Sequence, residues 1–548
     1  MTNKEYADIL LPGVKHTWEE YEKMYPERDL PEGAIVTRYA PSPTGFVHIG
    51  ALLVSFLSSK FAKQTGGVNY LRIEDTDQER SIENGVSSII ESLKSFGIEF
   101  DEGAISETEE KGNYGPYIQS KREDIYKAYA KKLIEEDKAY ASFASKEELD
   151  EIRKEQEISK QRLGYYGRWA KDRFISHEEA IKRIENGEKY IIRIKSPGDF
   201  YNKIKINDLI KGSMEMPEND IDEVIIKSDG IPTYHFAHAI DDHLMRTTHV
   251  IRGDEWLSSL PKHIQLFQML GFKAPKYAHI APLTKNDNGQ IRKLSKRKDP
   301  EAAVSFFTEE GVPKEAIMLY LATVANSNFE AWLDANPNGD IDNFKFEFKK
   351  CSASAGSLFD LPKLYNISKN YISRLTKDDV YDGILKYTEK YDKDFYEIIS
   401  KCPEYTKDIL NIEREQKKPR KDYAKYSDVK NGIWYMYDEL FEAKDYEWQN
   451  ITDKEEIKNI LNTYINDYYN ENDDKDTWFS KIQDLSNKLG YAGNMKDYRE
   501  NPDNYKGNVA DVSTVIRVAL TTKSQTPDLY ELLRLLGWKK INERFNLV

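Results

Sequence analysis

The segment from Thr37 to Gly50, TRYAPSPTGFVHIG, constrains this chain more than any other. Ile35 and Val36 lead into it with strand character. A Pro/Ser/Gly turn follows, and His-Ile-Gly then precedes a helical run from Ala51. A strand that feeds a glycine turn and a helix N-terminus gathers free backbone N–H groups and the positive end of the helix dipole at one point. Such a point holds anions. The imidazole of His48 beside the main chain of Gly50 suggests a bound phosphate, and hence a nucleotide. Neither a Walker glycine-lysine pattern nor GxGxxG accompanies it, so a nucleotide would be held in another way.

At 548 residues the chain exceeds one hydrophobic core, and two to four domains are expected. Its charged share of 32% against 39% hydrophobic fits a soluble globular protein. No apolar run approaches the roughly 18 residues needed to span a bilayer, so no membrane association is expected. The opening MTNKEYADIL lacks a basic region followed by an apolar stretch, so no signal peptide is expected. Two cysteines, Cys351 and Cys402, exclude a disulfide framework and make the reducing cytoplasm the default location. A net charge of −14 argues against a general nucleic-acid binder but leaves room for a local basic groove.

Along the chain, residues up to Gly33 form a polar leader rich in Glu and Tyr with no evident partner. Val68–Ile73 reads as a second strand and Ser81–Phe96 as a helix, which with the first strand makes an α/β unit. Tyr117–Gly164 reads as helical and charged. Lys189–Lys195, Ile221–Lys227 and His249–Arg252 read as strands, and Pro261–Leu270 as a helix. After Pro313 the pattern is mostly helical, and ANPNGDIDN within 335–345 marks a loop and a possible domain edge.

Three further signals bear on chemistry. KLSKR (Lys293–Arg297) lies in a run with five basic residues in seven positions. It is either a solvated loop or a group that neutralises charge developing in phosphoryl transfer. DGIPTYHFAHAIDDH (Asp229–His243) holds three of the nine histidines. His235, His238 and Asp242 lack the glutamate of the HExxH zinc motif, so the segment reads as a packed polar pocket wall rather than a metal site. In IRGDEW (Ile251–Trp256), an arginine just past a strand with a tryptophan four residues on suits a carboxylate clamp with an aromatic wall.

Together these residues resemble a known family. RYAPSPTGFVHIGA is similar to the first signature of the class I aminoacyl-tRNA synthetases, in the form found in bacterial-type glutamyl-tRNA synthetases, and KLSKR resembles the second. RIEDTD, SDGIPTYHFA, DDHLM and VIRGDEWLSSLPKHIQL resemble the blocks between them, in the same order. VIRVALTTKSQTPDLYELLRLLGW resembles the family's anticodon-binding end. The resemblance is dense over residues 34 to 310 and looser beyond.

The resemblance implies an α/β Rossmann-like class I synthetase catalytic domain with an inserted α+β acceptor-binding domain. Mostly α-helical stem-contact and anticodon-binding domains would follow. In residues, that is an N-terminal extension over 1–33, a catalytic domain over 34–110 and 211–310, a connective insertion over 111–210, a stem-contact domain over 311–375 and an anticodon-binding domain over 376–548. It implies that glutamate is joined to ATP, brought with Mg²⁺, and then passed to the terminal adenosine of tRNA. His48, Gly50, Lys293 and Lys296 would carry the catalysis. His48, Gly50, Lys293, Ser295, Lys296 and Arg297 would bind ATP. Arg38, Ala40, Ser42, Glu74, Tyr234, His238, Arg252 and Trp256 would bind glutamate: Arg38 at its side-chain carboxylate, Glu74 at its α-ammonium and Arg252 at its α-carboxylate. His238 stands where some members carry asparagine, and Ala51 where many class I enzymes carry a second histidine.

No protein metal site is implied. Some members hold zinc through cysteines of the insertion, but Ala139–Ser145 and Tyr165–Ala170 contain none, so no structural zinc is expected. The partners implied are tRNA(Glu), L-glutamate and ATP, acting on a cytoplasmic monomer. The residues do not separate an enzyme restricted to tRNA(Glu) from one that also charges tRNA(Gln). Arg414–Tyr426 (REQKKPRKDYAKY) is either an RNA-contact surface or a solvated charge run. A glutaminyl enzyme would carry Pro-Glu-Pro-Asn in the first signature. A truncated glutamylating relative would end soon after KLSKR. A non-catalytic paralogue is disfavoured by the intact His48, Gly50, Lys296 and glutamate set.

Overall fold

A computed structural model of the chain describes residues 1–43, 47–76, 82–295, 297–351 and 357–548. Two compact units emerge. One comprises Met1–Phe306 with Met318–Asp360, and the other Phe307–Ile317 with Leu361–Val548.

The first unit is built on a parallel sheet. Strand β1 (Val36–Tyr39) pairs in parallel with β2 (Val68–Leu71), in the register Val36–Val68 to Tyr39–Leu71, and β2 pairs in parallel with β3 (Glu102–Ala104). The short β4 (Glu110–Lys111) closes that edge antiparallel. On the other side of β1 lies β10 (His249–Gly253), itself parallel to β11 (Lys276–Ile280), and the Thr248 N–H donates to the Val36 carbonyl at 3.0 Å. All four residues of β1 are buried, as expected of a central strand covered on both faces. Helix α3 (Ile49–Lys63) makes the crossover from β1 to β2 and buries Leu52, Leu53, Phe56, Leu57 and Phe61. The return from α3 to β2 requires glycine at 67, because a Cβ there would lie 2.0 Å from the Ile35 carbonyl oxygen.

An insertion separates β4 from the return strand β10. Its antiparallel sheet runs β5 (Ala139–Ser142), β6 (Ile191–Ile194) and β9 (Val224–Ile226), with a separate hairpin of β7 (Lys203–Asp208) and β8 (Gly212–Pro217). Helices α5 (Glu123–Glu135), α6 (Lys146–Ile158) and α7 (His177–Glu185) accompany it. Helix α4 (Gly85–Ser95) matches the expected amphipathic run within the described residues. The stretch expected to be helical from Tyr117 to Gly164 is interrupted by β5. AYAS is fully buried there and pairs with β6, so tertiary pairing overrides the neighbouring helical character.

The leader has the partner that the sequence does not reveal. Helices α1 (Asn3–Leu10) and α2 (Trp18–Met24) both open with capping boxes, Thr2 with Glu5 and Thr17 with Glu20. Tyr6, Leu10, Leu11, Tyr21 and Tyr25 join the same buried cluster as Tyr126, Leu133 and Phe236. Each such side chain contributes about 1.5–3 kcal/mol when fully buried. Tyr21 donates to Asp124 at 2.6 Å, Tyr129 donates to Glu22 at 2.7 Å, and Arg28 grips Glu102 with two bonds of 2.8 and 3.0 Å. The loop expected over 335–345 follows a helix ending at Ala335, but no unit boundary falls there; the chain leaves the first unit for Phe307–Ile317 and again after Asp360.

The second unit is helical, with no strand among its described residues, around a core that includes Ile384, Ile399, Ile460, Ile516 and Leu532. Within Arg414–Tyr426 much of the charge is engaged inside the unit. Arg414 donates to the carbonyls of Leu410, Ile372 and Leu375, and Arg420 pairs with Asp422 and Glu413. Lys425 pairs with Glu310, and Tyr423 is buried. Lys417, Lys418 and Lys421 remain exposed.

Candidate active site

The sheet order reverses between β1 and β10, and the carboxyl ends of both strands open into one cavity of about 770 Å³. Open α/β sheets bind ligands at such a switch point. Helix α8 (Tyr234–Leu244) and helix α9 (Leu260–Leu270) lie behind it. The hairpin of β12 (Leu283–Asp287) and β13 (Gln290–Lys293) brings the basic loop to its edge.

His48 is the N-cap of α3. Its Nδ1 accepts the Gly50 N–H at 2.9 Å, so the ring proton sits on Nε2. A Cβ on residue 50 would stand 3.2 Å from that Nδ1, which is why glycine suits the position. His48, Gly50, Lys293 and Leu294 all line the cavity. The fold thus brings the second basic signal beside the first turn, as the reading of KLSKR as a phosphate loop requires. The loop is tied at its base. Arg292 grips Asp299 with bonds of 2.7 and 2.8 Å, the Ser295 N–H donates to Asp299 at 2.8 Å, and Asp299 is almost fully buried. Arg292 beside it holds the Asp299 carboxyl well below the usual carboxylate range. Lys293 stands 3.5 Å from Glu255 across the cavity mouth. Ser295 and Arg297 do not line the cavity in this geometry, and Lys296 lies outside the described residues.

The expected glutamate set converges better. Arg38, Ala40, Ser42, Glu74, Tyr234, Arg252 and Trp256 all line the cavity. Arg38 reaches Asp242 at 3.4 Å, and the wholly buried Arg72 bridges Asp242 at 2.6 Å and Glu74 at 3.0 Å. Burial opposes the charge on Asp242, but Arg72 and Arg38 outweigh it and hold that carboxyl well below its ordinary value. Burial lifts the Glu74 carboxyl, and the two guanidinium groups pull it part of the way back. Tyr234 packs its ring 4.5 Å from that of Trp256, which gives the cavity an aromatic wall.

His238 departs from expectation. It is fully buried, a turn behind Tyr234 on the same face of α8, and its ring stacks 5.9 Å from the tyrosine rather than lining the cavity. Burial pushes its imidazole down to about 4, so it is neutral. Its Nδ1 lies 2.9 Å from Asp242 and its Nε2 3.3 Å from the Tyr277 hydroxyl.

Several residues that shape the site carry no signal of their own in the sequence. Arg72 sits inside RIEDTD as the bridge described above. His263 on α9 and His279 on β11 flank Arg252, Asp208 on β7 backs His279, and only their placement by three separate elements reveals them. Among the described residues no group of three or more His, Cys, Asp or Glu is arranged to hold a metal, and no helix is long and apolar enough to cross a membrane.

Residues 34–333 match the family model of the tRNA synthetases class I (E and Q), catalytic domain. The chain is 48% identical to a glutamate–tRNA ligase of Clostridium perfringens over 548 residues, covering all of this chain and 99% of that protein. It is 46% identical to one from Acetivibrio thermocellus over 99% of both chains. It is also similar to the crystal structure of a glutamate tRNA ligase from Elizabethkingia meningosepticum in complex with its amino acid. That match has a TM-score of 0.74 and 26% identity, and covers 93% of this chain and 98% of that one.

Proposed function

The chain belongs to the class I tRNA synthetases of the E and Q branch, and from that premise we propose that it is a glutamate–tRNA ligase. ATP enters as its Mg²⁺ complex. A carboxylate oxygen of glutamate attacks the α-phosphate in line, glutamyl-adenylate forms and pyrophosphate leaves. The nucleophile is already ionised, so the step needs positioning and charge stabilisation rather than a general base. A ribose hydroxyl of the terminal adenosine of tRNA then takes the glutamyl group, and AMP leaves.

One observation carries this reading: the turn of His48 and Gly50, read as an anion site, and the set of Arg38, Glu74 and Arg252, read as a zwitterion site, line the same cavity. His48 presents its Nε2–H toward the nucleotide phosphates from the end of α3, where the helix dipole adds to it. Gly50 lets the nucleotide approach the main chain. Lys293, with Lys296, Ser295 and Arg297 from the same loop, would close over the phosphates once ATP is bound. Arg38 takes the side-chain carboxylate of glutamate, Glu74 the α-ammonium and Arg252 the α-carboxylate, with Tyr234 and Trp256 as the wall and Ala40 and Ser42 as its floor. His238 supports Tyr234 from behind.

The insertion over 111–210 would receive the acceptor end of the tRNA, residues 311–375 its stem and the helical 376–548 its anticodon, with the enzyme working as a cytoplasmic monomer without structural zinc. Charging purified tRNA species one at a time tests the function. Glutamate and ATP should charge tRNA(Glu), and failure to do so would sink the proposal. The tRNA(Gln) arm separates a discriminating enzyme from one that charges both. Glutamate-dependent ATP–pyrophosphate exchange should also require tRNA, and exchange at full rate without it would refute that dependence.

A further inference from the structure

The arginine placed at the α-carboxylate is held differently from the other buried arginines around the cavity. Arg38 answers Asp242, Arg72 answers Glu74 and Asp242, and Arg122 answers Asp241. Arg252 is equally buried, yet among the described residues none of its contacts is a carboxylate. Its Nε donates to His279 Nε2 at 3.0 Å, one terminal nitrogen lies 3.1 Å from His263 Nδ1, and the other donates to the Trp256 carbonyl at 3.4 Å. Its guanidinium carbon stands 4.9 Å from the centre of the Tyr277 ring.

Both imidazoles are locked as acceptors toward it. His263 accepts at Nδ1, so its proton is on Nε2, which lies 2.8 Å from His235 Nδ1 on α8. His279 accepts at Nε2, so its Nδ1–H donates to Asp208 at 2.7 Å, and Asp208 also takes the His279 backbone N–H at 3.1 Å. Two neutral rings, each oriented from behind, therefore fix the guanidinium plane without cancelling its charge. An unpaired buried cation is costly, and a ligand carboxylate relieves that cost.

We infer that His263 is a positioning residue for substrate recognition: as a neutral acceptor it aims Arg252 into the cavity and leaves its charge for the α-carboxylate of the amino acid. This rests on the proposal that Arg252 binds that carboxylate. His235 sets the tautomer of His263, and His279 performs the same service on the other edge of the guanidinium.

Steady-state aminoacylation of tRNA(Glu) by the full chain tests it with four variants. Arg252→Met is the reference. His263→Asn keeps an acceptor where Nδ1 stands, His263→Leu removes it, and His263→Asp supplies a carboxylate that neutralises Arg252. The glutamate KM should rise by about tenfold or more in His263→Asp and Arg252→Met, less in His263→Leu, and by no more than about threefold in His263→Asn, with the ATP KM unmoved. Competitive inhibition by 4-aminobutyrate, which lacks the α-carboxylate, should be as strong in His263→Asp as in the parent. A glutamate KM for His263→Asp close to the parent's, while Arg252→Met raises it, overturns the inference alone. So does a parallel loss of 4-aminobutyrate binding. An unaltered KM in Arg252→Met overturns the α-carboxylate assignment itself. Should His263→Asp fail to fold, equal glutamate KM values for His263→Leu and His263→Asn overturn the inference.

Discussion

The Nδ1 of His48 accepts the N–H of Gly50 at 2.9 Å. That bond caps helix α3 and, by occupying Nδ1, leaves the ring proton on Nε2. On the proposed function a single side chain would serve both the stability of the helix and an anion site at its end.

The two duties are separable. Asparagine is a strong N-cap residue but lacks a second donor at the reach of Nε2. His48→Asn is therefore expected to keep the thermal unfolding midpoint of the parent while kcat for aminoacylation falls by about 10²–10³-fold, as for loss of one transition-state donor. A fall in Tm with kcat retained would assign His48 to the cap alone.

The buried Asp299 ties the basic loop through Arg292 and the Ser295 N–H. Asp299→Asn keeps the shape but weakens the grip on Arg292. On the proposal that the loop serves the phosphates rather than the amino acid, kcat should fall by about tenfold with the glutamate KM little changed. Pyrophosphate release in single-turnover experiments reads this directly, and a selective rise in glutamate KM would contradict it.

Burial pushes His235 down to about 3, His238 and His249 down to about 4, and His263 well below its ordinary value. Unfolding frees these rings to take protons near their ordinary pKa of about 6.5. Between that value and about 4 the unfolded chain binds more protons, so stability is fullest above about pH 6.5 and declines as the solution is acidified toward 4. Urea unfolding midpoints should fall over that range, and more gently in His249→Gln, which removes one of these groups away from the cavity. A midpoint level across the range would refute the assignment.

The catalytic scaffold is legible in the sequence where a local pattern carries it. The strand at Val36, the glycine turn, the strands at Val68 and His249 and the helix before Leu270 all follow from runs of apolar residues and their punctuation. Strand β5 does not, because AYAS sits between helix formers; the hairpin of β7 and β8 does carry a period-two alternation, in residues 203–207 and 214–216, that the expectations from sequence leave unused. Among site residues, Arg38, Glu74, Tyr234 and Arg252 stand inside recognisable blocks. His263 also stands inside such a block, but neither it nor His279 and Asp208 announces its part, because they come from three elements and matter only through where their ring nitrogens and carboxylate point, which no spacing encodes. His238 shows the converse: its place in a block suggested contact, and the turn of α8 that carries Tyr234 to the cavity carries it into the core.

The leader has a consequence for how the molecule is made. Its apolar and tyrosine side chains rest on α5, and Glu22 and Arg28 reach His243, Glu102 and the Met245 carbonyl. Those seats leave the ribosome long after the leader does. The leader is therefore obliged to wait for seats made some 220 positions further along the chain, and its docking cannot begin the assembly of the unit.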